Sequence, residues 1–184
     1  MRVIMIAGRL CAGKNTVALM VRRATGDPSA PIISFSTLFE KILVMRGDEP
    51  TRENMKCVAD TLKRRYGQRV FAEMLSELVA EQYMDRQCVI VCGARFPEDL
   101  RLLSEYDSTL VGVQADFDVR YARALRDPRK NGNGLSREAF ARMDGDPREG
   151  SLGTILKEAS AVFENNGTRD ALFLQVRTRF TRPW

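Results

Sequence analysis

The sequence VIMIAGRLCAGKNTVALMV, residues 3–21, joins an apolar, β-prone run to a glycine-containing loop and then to residues with helical apolar spacing. The run at 3–7 has no polar residue and ends at Gly8, which is typical of a central parallel strand buried on both faces. Helical spacing starts at Lys14 and breaks at Gly26. The stretch therefore predicts a strand, a tight loop and a helix in direct succession.

Gly8, Gly13 and Lys14 have the G-x-x-x-x-G-K spacing of a phosphate-binding loop, or P-loop. Glycines there let backbone N–H groups turn toward phosphates, the helix N-terminus adds partial positive charge, and the lysine can bridge the β- and γ-phosphates. A chance glycine turn is the alternative, which the flanking strand and helix disfavour. The residues predicted to bind a nucleotide are Gly8, Cys11, Ala12, Gly13, Lys14, Asn15 and Thr16.

The position after Lys14 departs from the usual motif. A serine or threonine that ligates Mg²⁺ is usual there, but this chain has Asn15, and Thr16 carries the nearest hydroxyl. An asparagine oxygen can hold a metal-bound water, although weakly. We predict that Mg²⁺ is held by Asn15 and Thr16.

Composition excludes several classes of protein. A chain of 184 residues fits one domain, residues 1–184, and 44% hydrophobic residues are enough for a buried core. The chain has no histidine, which excludes imidazole bases, histidine metal ligands and serine-histidine or cysteine-histidine nucleophiles. No apolar run approaches a membrane span, and a net charge of +5 is too small to indicate nucleic-acid binding. We expect a cytoplasmic protein with no membrane or nucleic-acid partner.

The cysteines match no common zinc spacing and no disulfide framework. They lie at Cys11, Cys57, Cys88 and Cys92. Cys88 and Cys92 fall on one face of a predicted strand, because alternate strand residues share a face. We predict buried, reduced thiols.

Strand and helix patterns alternate along the rest of the chain. The predicted strands are residues 3–7, 31–36, 88–92, 109–113 and 161–164. Alternation of this kind implies an α/β fold with a parallel sheet and right-handed crossovers. Residues 127–150 differ, since they hold prolines, glycines and few strongly apolar side chains. We predict a mobile polar insert there, around a short helix capped by Ser136.

Four segments, in this order, carry a resemblance to a known superfamily. They are the loop ending Gly13-Lys14-Asn15-Thr16, the paired helices after Pro50, the run Val91-Cys92-Gly93-Ala94-Arg95, and residues 163–167. The chain resembles the P-loop nucleoside monophosphate kinase superfamily, and within it the dephospho-CoA kinase-like and deoxynucleoside monophosphate kinase-like branch. The resemblance implies a three-layer P-loop NTPase fold with a five-stranded parallel sheet, a helical acceptor-binding insert at 37–84 and a lid at 127–150. It also implies ATP and Mg²⁺ as cofactors.

The resemblance assigns roles to residues outside the loop. Arg95 would hold the acceptor phosphate, with a surface salt bridge as the alternative. Asn165, Asn166 and Gly167 correspond to the turn beside the adenine base, although the same residues also make a good ordinary turn. Relatives commonly carry an aspartate where this chain has Cys92, so a second metal contact is lost.

Basic residues crowd the predicted lid and the helix before it. They are Arg120, Arg123, Arg126, Arg129, Lys130, Arg137, Arg142 and Arg148. In similar kinases a lid at this place closes over ATP and brings arginines onto the transferred phosphoryl group. About half of such a set belongs to a solvated helix face. The residues we predict to act in catalysis are Lys14, Arg123, Arg126 and Arg148.

The acceptor prediction depends on the stretch after the second strand. A hydroxyl acceptor such as dephospho-CoA is best served by a carboxylate base, whereas a nucleoside monophosphate needs cations. The first acid there is Glu40, one helical turn beyond Ser36. We predict ATP-dependent transfer of the γ-phosphoryl group to a nucleoside or deoxynucleoside monophosphate, bound by Ser36, Lys41 and Arg95. The alternatives are a dephospho-CoA kinase-like enzyme and, because of the altered metal positions, a regulatory module that binds nucleotide without turnover.

Overall fold

A parallel sheet forms the centre of the computed structural model, which describes residues 1–127, 134–145 and 151–180. The strands are β1 (Arg2–Gly8), β2 (Ile32–Ser34), β3 (Cys88–Ala94), β4 (Asp107–Gln114) and β5 (Ala161–Glu164). They lie in the order β2, β3, β1, β4, β5, and every pairing is parallel. The predicted five-stranded parallel sheet is confirmed.

Helices cover both faces of this sheet and produce three layers. They are α1 (Lys14–Ala24), α2 (Phe35–Met45), α3 (Arg52–Tyr66), α4 (Val70–Gln82), α5 (Arg101–Glu105), α6 (Phe117–Arg126), α7 (Arg137–Asp144), α8 (Leu152–Lys157) and α9 (Arg169–Phe180). A 3₁₀ turn, Pro97–Leu100, precedes α5. Helices α1 and α9 pack on one face, and α2, α4 and α8 on the other. Within the described ranges, no helix is both long enough and apolar enough to cross a membrane.

The first strand is central because both of its faces are covered. Residues 3–7 have no exposed surface. Ile4 and Ile6 pack into the core beneath α1 and α9, whereas Val3 and Met5 pack into the core on the opposite face. This two-sided burial explains why the run contains no polar residue.

The second strand is shorter than the predicted 31–36. Ser34 Oγ accepts a hydrogen bond from the backbone N–H of Thr37 at 3.2 Å and thereby caps α2, which begins at Phe35. Such a cap satisfies an N–H that has no partner inside the helix, so the chain becomes helical as soon as Ser34 leaves the sheet. Ser36 therefore lies exposed in the first turn of a helix and not in a strand.

Hydroxyl caps occur where the sequence predicts helix starts. Thr51 Oγ1 accepts from the backbone N–H of Asn54 at 3.2 Å, and Ser136 Oγ accepts from that of Ala139 at 3.1 Å. The second bond confirms a short helix capped by Ser136 inside the predicted lid. The rest of that segment, residues 128–133 and 146–150, lies outside the described residues.

The prediction of buried thiols is confirmed for Cys88 and Cys92 and is wrong for the other two cysteines. Cys57 is exposed on α3, and Cys11 is partly exposed in the loop. Cys57 precedes the buried Val58, and successive helical residues point about 100° apart, so the two side chains face different directions. Burial raises the pKa of Cys88 to about 11 and that of Cys92 to about 12.

We expect iodoacetamide at about pH 8 to modify Cys57 in the folded protein and to spare Cys88 and Cys92, since the thiolate is the reacting form. Both buried thiols stay protonated and inaccessible under these conditions. Peptide mass spectrometry measures the modification, and denatured protein is the control, in which every cysteine should react. Equal rates for Cys92 and Cys57 in the folded state would contradict the burial.

Candidate nucleotide-binding site

The loop between β1 and α1 needs glycine at both motif positions. A Cβ atom at Gly8 would lie 2.5 Å from the carbonyl oxygen of Val113. Gly13 has a φ of +103°, and a Cβ atom there would overlap the side-chain nitrogen of Asn165. Cys11 also has a positive φ, 59°, which is uncommon for a residue with a side chain. The loop is therefore a tightly turned segment in close contact with the elements around it.

The N-terminus of α1 is open at this loop. Gly13 provides no side-chain cap, and the first turn of α1 contains no acidic residue. The first N–H groups of a helix have no partner inside it and carry the positive end of its dipole. These groups can donate hydrogen bonds to phosphate oxygens, so this end of α1 fits an anion.

Lys14 lies across the loop. Its Nζ donates hydrogen bonds to the carbonyl oxygens of Gly8, at 2.7 Å, and Arg9, at 3.0 Å. The ammonium group is thus held beside the open helix N-terminus. This arrangement places a positive charge where the loop can cradle a phosphate chain.

Two side chains from farther along the sequence donate hydrogen bonds to carbonyl oxygens of the loop. Asn165 Nδ2 donates to the carbonyl oxygen of Ala12 at 2.7 Å. Arg123 Nη1 donates to the carbonyl oxygens of Cys11, at 3.5 Å, and Ala12, at 3.4 Å, while its Nη2 donates to Asn165 O at 2.8 Å and to Asn165 Oδ1 at 3.1 Å. Burial lowers the pKa of the Arg123 guanidinium, which remains charged at neutral pH. These bonds fix loop carbonyls whose orientation determines where the neighbouring N–H groups point.

The predicted adenine turn follows β5. Asn165 is buried against the loop, and its backbone N–H donates to Gln114 O at 2.8 Å. Asn166 Oδ1 accepts from the backbone N–H of Asp116 at 2.8 Å, and Gly167 is exposed. The turn is thus attached both to the loop and to the end of β4. Its role toward adenine stays a prediction.

A buried ion-pair network joins the predicted lid to the loop. Asp144, at the end of α7, forms a bidentate pair with Arg120 of α6, in which Arg120 Nη2 lies 2.8 Å from Asp144 Oδ2. Asp144 Oδ2 also lies 3.4 Å from Nη1 of Arg9 in the loop. Arg120 and Asp144 are only 4% and 8% exposed, whereas the Arg9 side chain is 47% exposed. One carboxylate therefore connects three segments at the nucleotide site.

Aromatic side chains anchor α7 beside this network. Phe140 is fully buried, and its ring centroid lies 5.3 Å from that of Phe117 and 5.6 Å from that of Tyr121. Contacts at such distances contribute beyond simple burial. The described part of the predicted lid, residues 134–145, thus packs on α6 through Phe140. The mobility expected of this segment stays a prediction.

The predicted lid arginines occupy different places. Arg123 lies at the loop, where it binds carbonyl oxygens. Arg126 is exposed at the last residue of α6. Arg148 lies outside the described residues. Catalytic roles for all three stay predictions.

The predicted acceptor residues lie beyond the carboxyl ends of β2 and β3. These strands pair Ser34 with Cys92, so the segments that follow them leave the same edge of the sheet. Arg95 directly follows β3 and is partly buried. Ser36 and Lys41 are exposed on α2. The crevice at the carboxyl edge of a parallel sheet is where such folds bind ligands.

The chain offers few ligands for a divalent ion. Asn15 is exposed and Thr16 partly exposed in the first turn of α1. Cys92 is 2% exposed, and burial raises its pKa to about 12, so the thiol stays protonated and is a poor ligand. Within the described ranges, no group of three or more Cys, Asp or Glu residues could hold a metal. Asn15 and Thr16 offer oxygen atoms, which Mg²⁺ prefers as ligands, but these oxygens lack the negative charge of a carboxylate.

The sequence analysis missed three residues. They are Asp144, Asp99, which accepts hydrogen bonds from the backbone of Arg95 and Phe96, and Lys63 of α3, which contacts the Phe96 ring. Asp99 had a local signal, because an acid three residues after Phe96, with proline between them, is typical of a helix start. Asp144 and Lys63 had none, since each is one of many charged residues on a helix.

No family model matches the chain. A UPF0200 protein of Hyperthermus butylicus is 26% identical over 164 residues, which are 89% of this chain and 84% of the relative. Shikimate kinase from Acinetobacter baumannii, in complex with shikimate, superimposes with a TM-score of 0.60 at 15% identity over 96% of this chain and 89% of its own. Shikimate kinase from Bacteroides thetaiotaomicron superimposes with a TM-score of 0.59 at 16% identity over 96% and 95%. These likenesses confirm the three-layer P-loop fold, here shared with kinases.

Proposed function

We propose that this protein is an ATP-dependent phosphotransferase that passes the γ-phosphoryl group to a small-molecule acceptor of the nucleotide type. The observation that carries the proposal is the geometry of the loop. Lys14 Nζ donates hydrogen bonds to the carbonyl oxygens of Gly8 and Arg9, beside the open N-terminus of α1. This geometry supports binding of a triphosphate. Catalysis by such a site consists of positioning and charge neutralisation.

The donor nucleotide would occupy the loop and the turn that follows β5. Residues 8–16 bind the phosphates, and Asn165, Asn166 and Gly167 lie beside the adenine base. Mg²⁺ neutralises phosphate charge when it is bound. Asn15 and Thr16 supply the protein's oxygen atoms to it, and the weakness of this set leaves most of its coordination to phosphate and water.

Residues 127–150 form the proposed lid. Asp144 connects α7 to Arg9 in the loop, so a change at the phosphates can be transmitted to the lid. Arg126 and Arg148 are the lid arginines proposed to reach the transferred group. The described helix α7 supplies the anchored part of this lid.

A nucleoside or deoxynucleoside monophosphate is the proposed acceptor. Arg95, together with Ser36 and Lys41, supplies the polar groups for its phosphate at the edge next to the loop. The stretch after β2 carries no acid before Glu40, the acid a hydroxyl acceptor would need, which lies one helical turn beyond Ser36. Dephospho-CoA therefore has less support as the acceptor than a nucleoside monophosphate.

A regulatory module that binds nucleotide without turnover is the second candidate. The observation that favours it is Cys92, a buried and protonated thiol at the end of β3, together with Asn15 beside Lys14. Measuring ATP affinity and ADP release on the same preparation separates the two candidates. Tight binding with no ADP release in the presence of any acceptor supports the module.

We expect ADP release to be stimulated by at least one nucleoside monophosphate in a panel that includes dephospho-CoA. Arg95→Ala should raise the KM for that acceptor about 10- to 100-fold and leave the KM for ATP unchanged, because a charge-assisted contact to phosphate is lost. Arg177→Ala, at an exposed arginine of α9 outside the predicted acceptor-binding insert, is the matched control and should change neither value. Turnover of dephospho-CoA alone, unaffected by Arg95→Ala, would overturn the acceptor assignment.

A further inference from the structure

A buried carboxylate holds the turn that carries Arg95. Asp99 Oδ2 accepts hydrogen bonds from the backbone N–H of Arg95, at 2.8 Å, and of Phe96, at 3.0 Å. Asp99 is only 3% exposed. Its carboxylate therefore fixes the backbone at the point where the chain leaves β3 and enters the crevice.

The environment of Asp99 makes it an unusual capping residue. Burial raises the pKa of Asp99, and the two backbone N–H groups and the Arg95 charge act against this rise. Its other oxygen, Oδ1, is buried without a hydrogen-bond partner among the described residues. A buried polar atom of this kind is destabilising by itself. The two hydrogen bonds that Oδ2 accepts are therefore the contacts that hold the carboxylate in this turn.

The same turn brings in a second cation. Lys63 of α3 places its Nζ 5.4 Å from the centroid of the Phe96 ring, within the range of a cation–π contact. Phe96 owes its backbone position to Asp99. The turn thus carries Arg95 and, through the Phe96 ring, contacts the Lys63 ammonium.

We propose that Asp99 is the positioning residue of the acceptor site, which acts through Arg95 by fixing the backbone that carries it. The inference rests on the proposed function, because it takes Arg95 as the group that binds the acceptor's phosphate. Asp99 itself does not touch the acceptor. The ligand that Arg95 fits is a small molecule with a phosphate group, to which a guanidinium can donate two parallel hydrogen bonds.

The test is a double-mutant cycle on acceptor binding, which does not require turnover. Wild type, Asp99→Ala, Arg95→Ala and the double variant are titrated calorimetrically with AMP, CMP, GMP, UMP and dTMP, and the tightest of these is the probe. We expect Asp99→Ala to weaken binding about tenfold and Arg95→Ala about 10- to 100-fold. If Asp99 acts through Arg95, the double variant binds like Arg95→Ala alone.

Three comparisons separate positioning from folding. Asp99→Asn keeps an oxygen that accepts from both N–H groups and should bind the probe within about threefold of wild type. Glu98→Ala changes an exposed carboxylate of the same turn and should leave binding unchanged. ATP affinity should be unaltered in every variant. If Asp99→Ala does not fold, Asp99→Ser, which can accept from only one of the N–H groups well, takes its place in the cycle.

Each outcome bears on one claim. The positioning role would be overturned if the fold-losses in monophosphate affinity of the two single variants multiplied in the double variant. It would also be overturned if Asp99→Ala bound the monophosphate like wild type. Binding of none of the monophosphates would also overturn it, while ATP binding would still support the donor site. Coupled binding without any ADP release would leave Asp99 in its role and remove the proposed transfer activity.

Discussion

Replacement of Lys14 by alanine is expected to reduce turnover by about a hundredfold or more, with a smaller effect on ATP affinity. The physical reason is that the transferred phosphoryl group carries negative charge in the transition state, and a nearby cation stabilises that charge. Lys14 is held at the loop by hydrogen bonds to Gly8 O and Arg9 O, so its position is set before the nucleotide arrives. ADP release at saturating acceptor measures the effect.

The matched control for Lys14 is Lys157→Ala, which removes an exposed lysine at the end of α8. This variant should keep wild-type turnover, because the long-range effect of one surface charge is screened by salt. Wild-type turnover in Lys14→Ala would remove the kinase assignment. Arginine in place of Lys14 should not restore activity fully, since its planar guanidinium presents its donors in a different geometry.

Asp144→Ala is expected to lower the free energy of unfolding by about 3–5 kcal/mol, because it leaves the buried Arg120 guanidinium without its carboxylate. Arg120 is 4% exposed, and its guanidinium carbon lies 5.8 Å from the ring centroid of Phe117 and 5.9 Å from that of Phe140. Urea unfolding monitored by circular dichroism measures the change. The same variant should bind ATP more weakly, since Arg9 loses its contact as well.

Asp118→Ala is the control for the buried network. Asp118 pairs with Arg137, but both side chains are largely exposed, at 72% and 55%. Exposed pairs contribute about 0–1 kcal/mol, so this variant should unfold close to wild type. Equal losses for Asp118→Ala and Asp144→Ala would contradict the importance assigned to burial.

Several features of the fold could be predicted because their causes lie within a few residues. The apolar run at 3–7 indicates a strand covered on both faces, and the structure leaves it with no exposed surface. Thr51 and Ser136 indicate helix starts because a hydroxyl at that position satisfies an N–H three residues later. The P-loop spacing can likewise be recognised from adjacent residues, so for features of this kind the sequence suffices. The close contacts of Gly8 with Val113 and of Gly13 with Asn165 arise only in the folded chain.

Competing local signals explain the errors. The β-prone residues at 31–36 favour a strand, but the Ser34 cap ends it early. The hydrogen bond from the Thr37 N–H to Ser34 Oγ outweighs the strand propensity of these residues. The position of Cys57 depends on which face of α3 meets the rest of the molecule. That face is indicated by the apolar spacing of the helix, which includes Val58 and not Cys57, whereas the prediction for Cys57 used the type of residue alone.

The charged contacts of the site were decided by tertiary structure alone. Asp144 is separated from Arg9 by 135 residues and from Arg120 by 24, and in the sequence it looks no different from the exposed Asp118. Burial and pairing determine what a carboxylate does, and both depend on which side chains lie opposite it once the sheet has formed. The sequence therefore determined the sheet and the loop, whereas only the folded chain decided which charges lie together beside the loop.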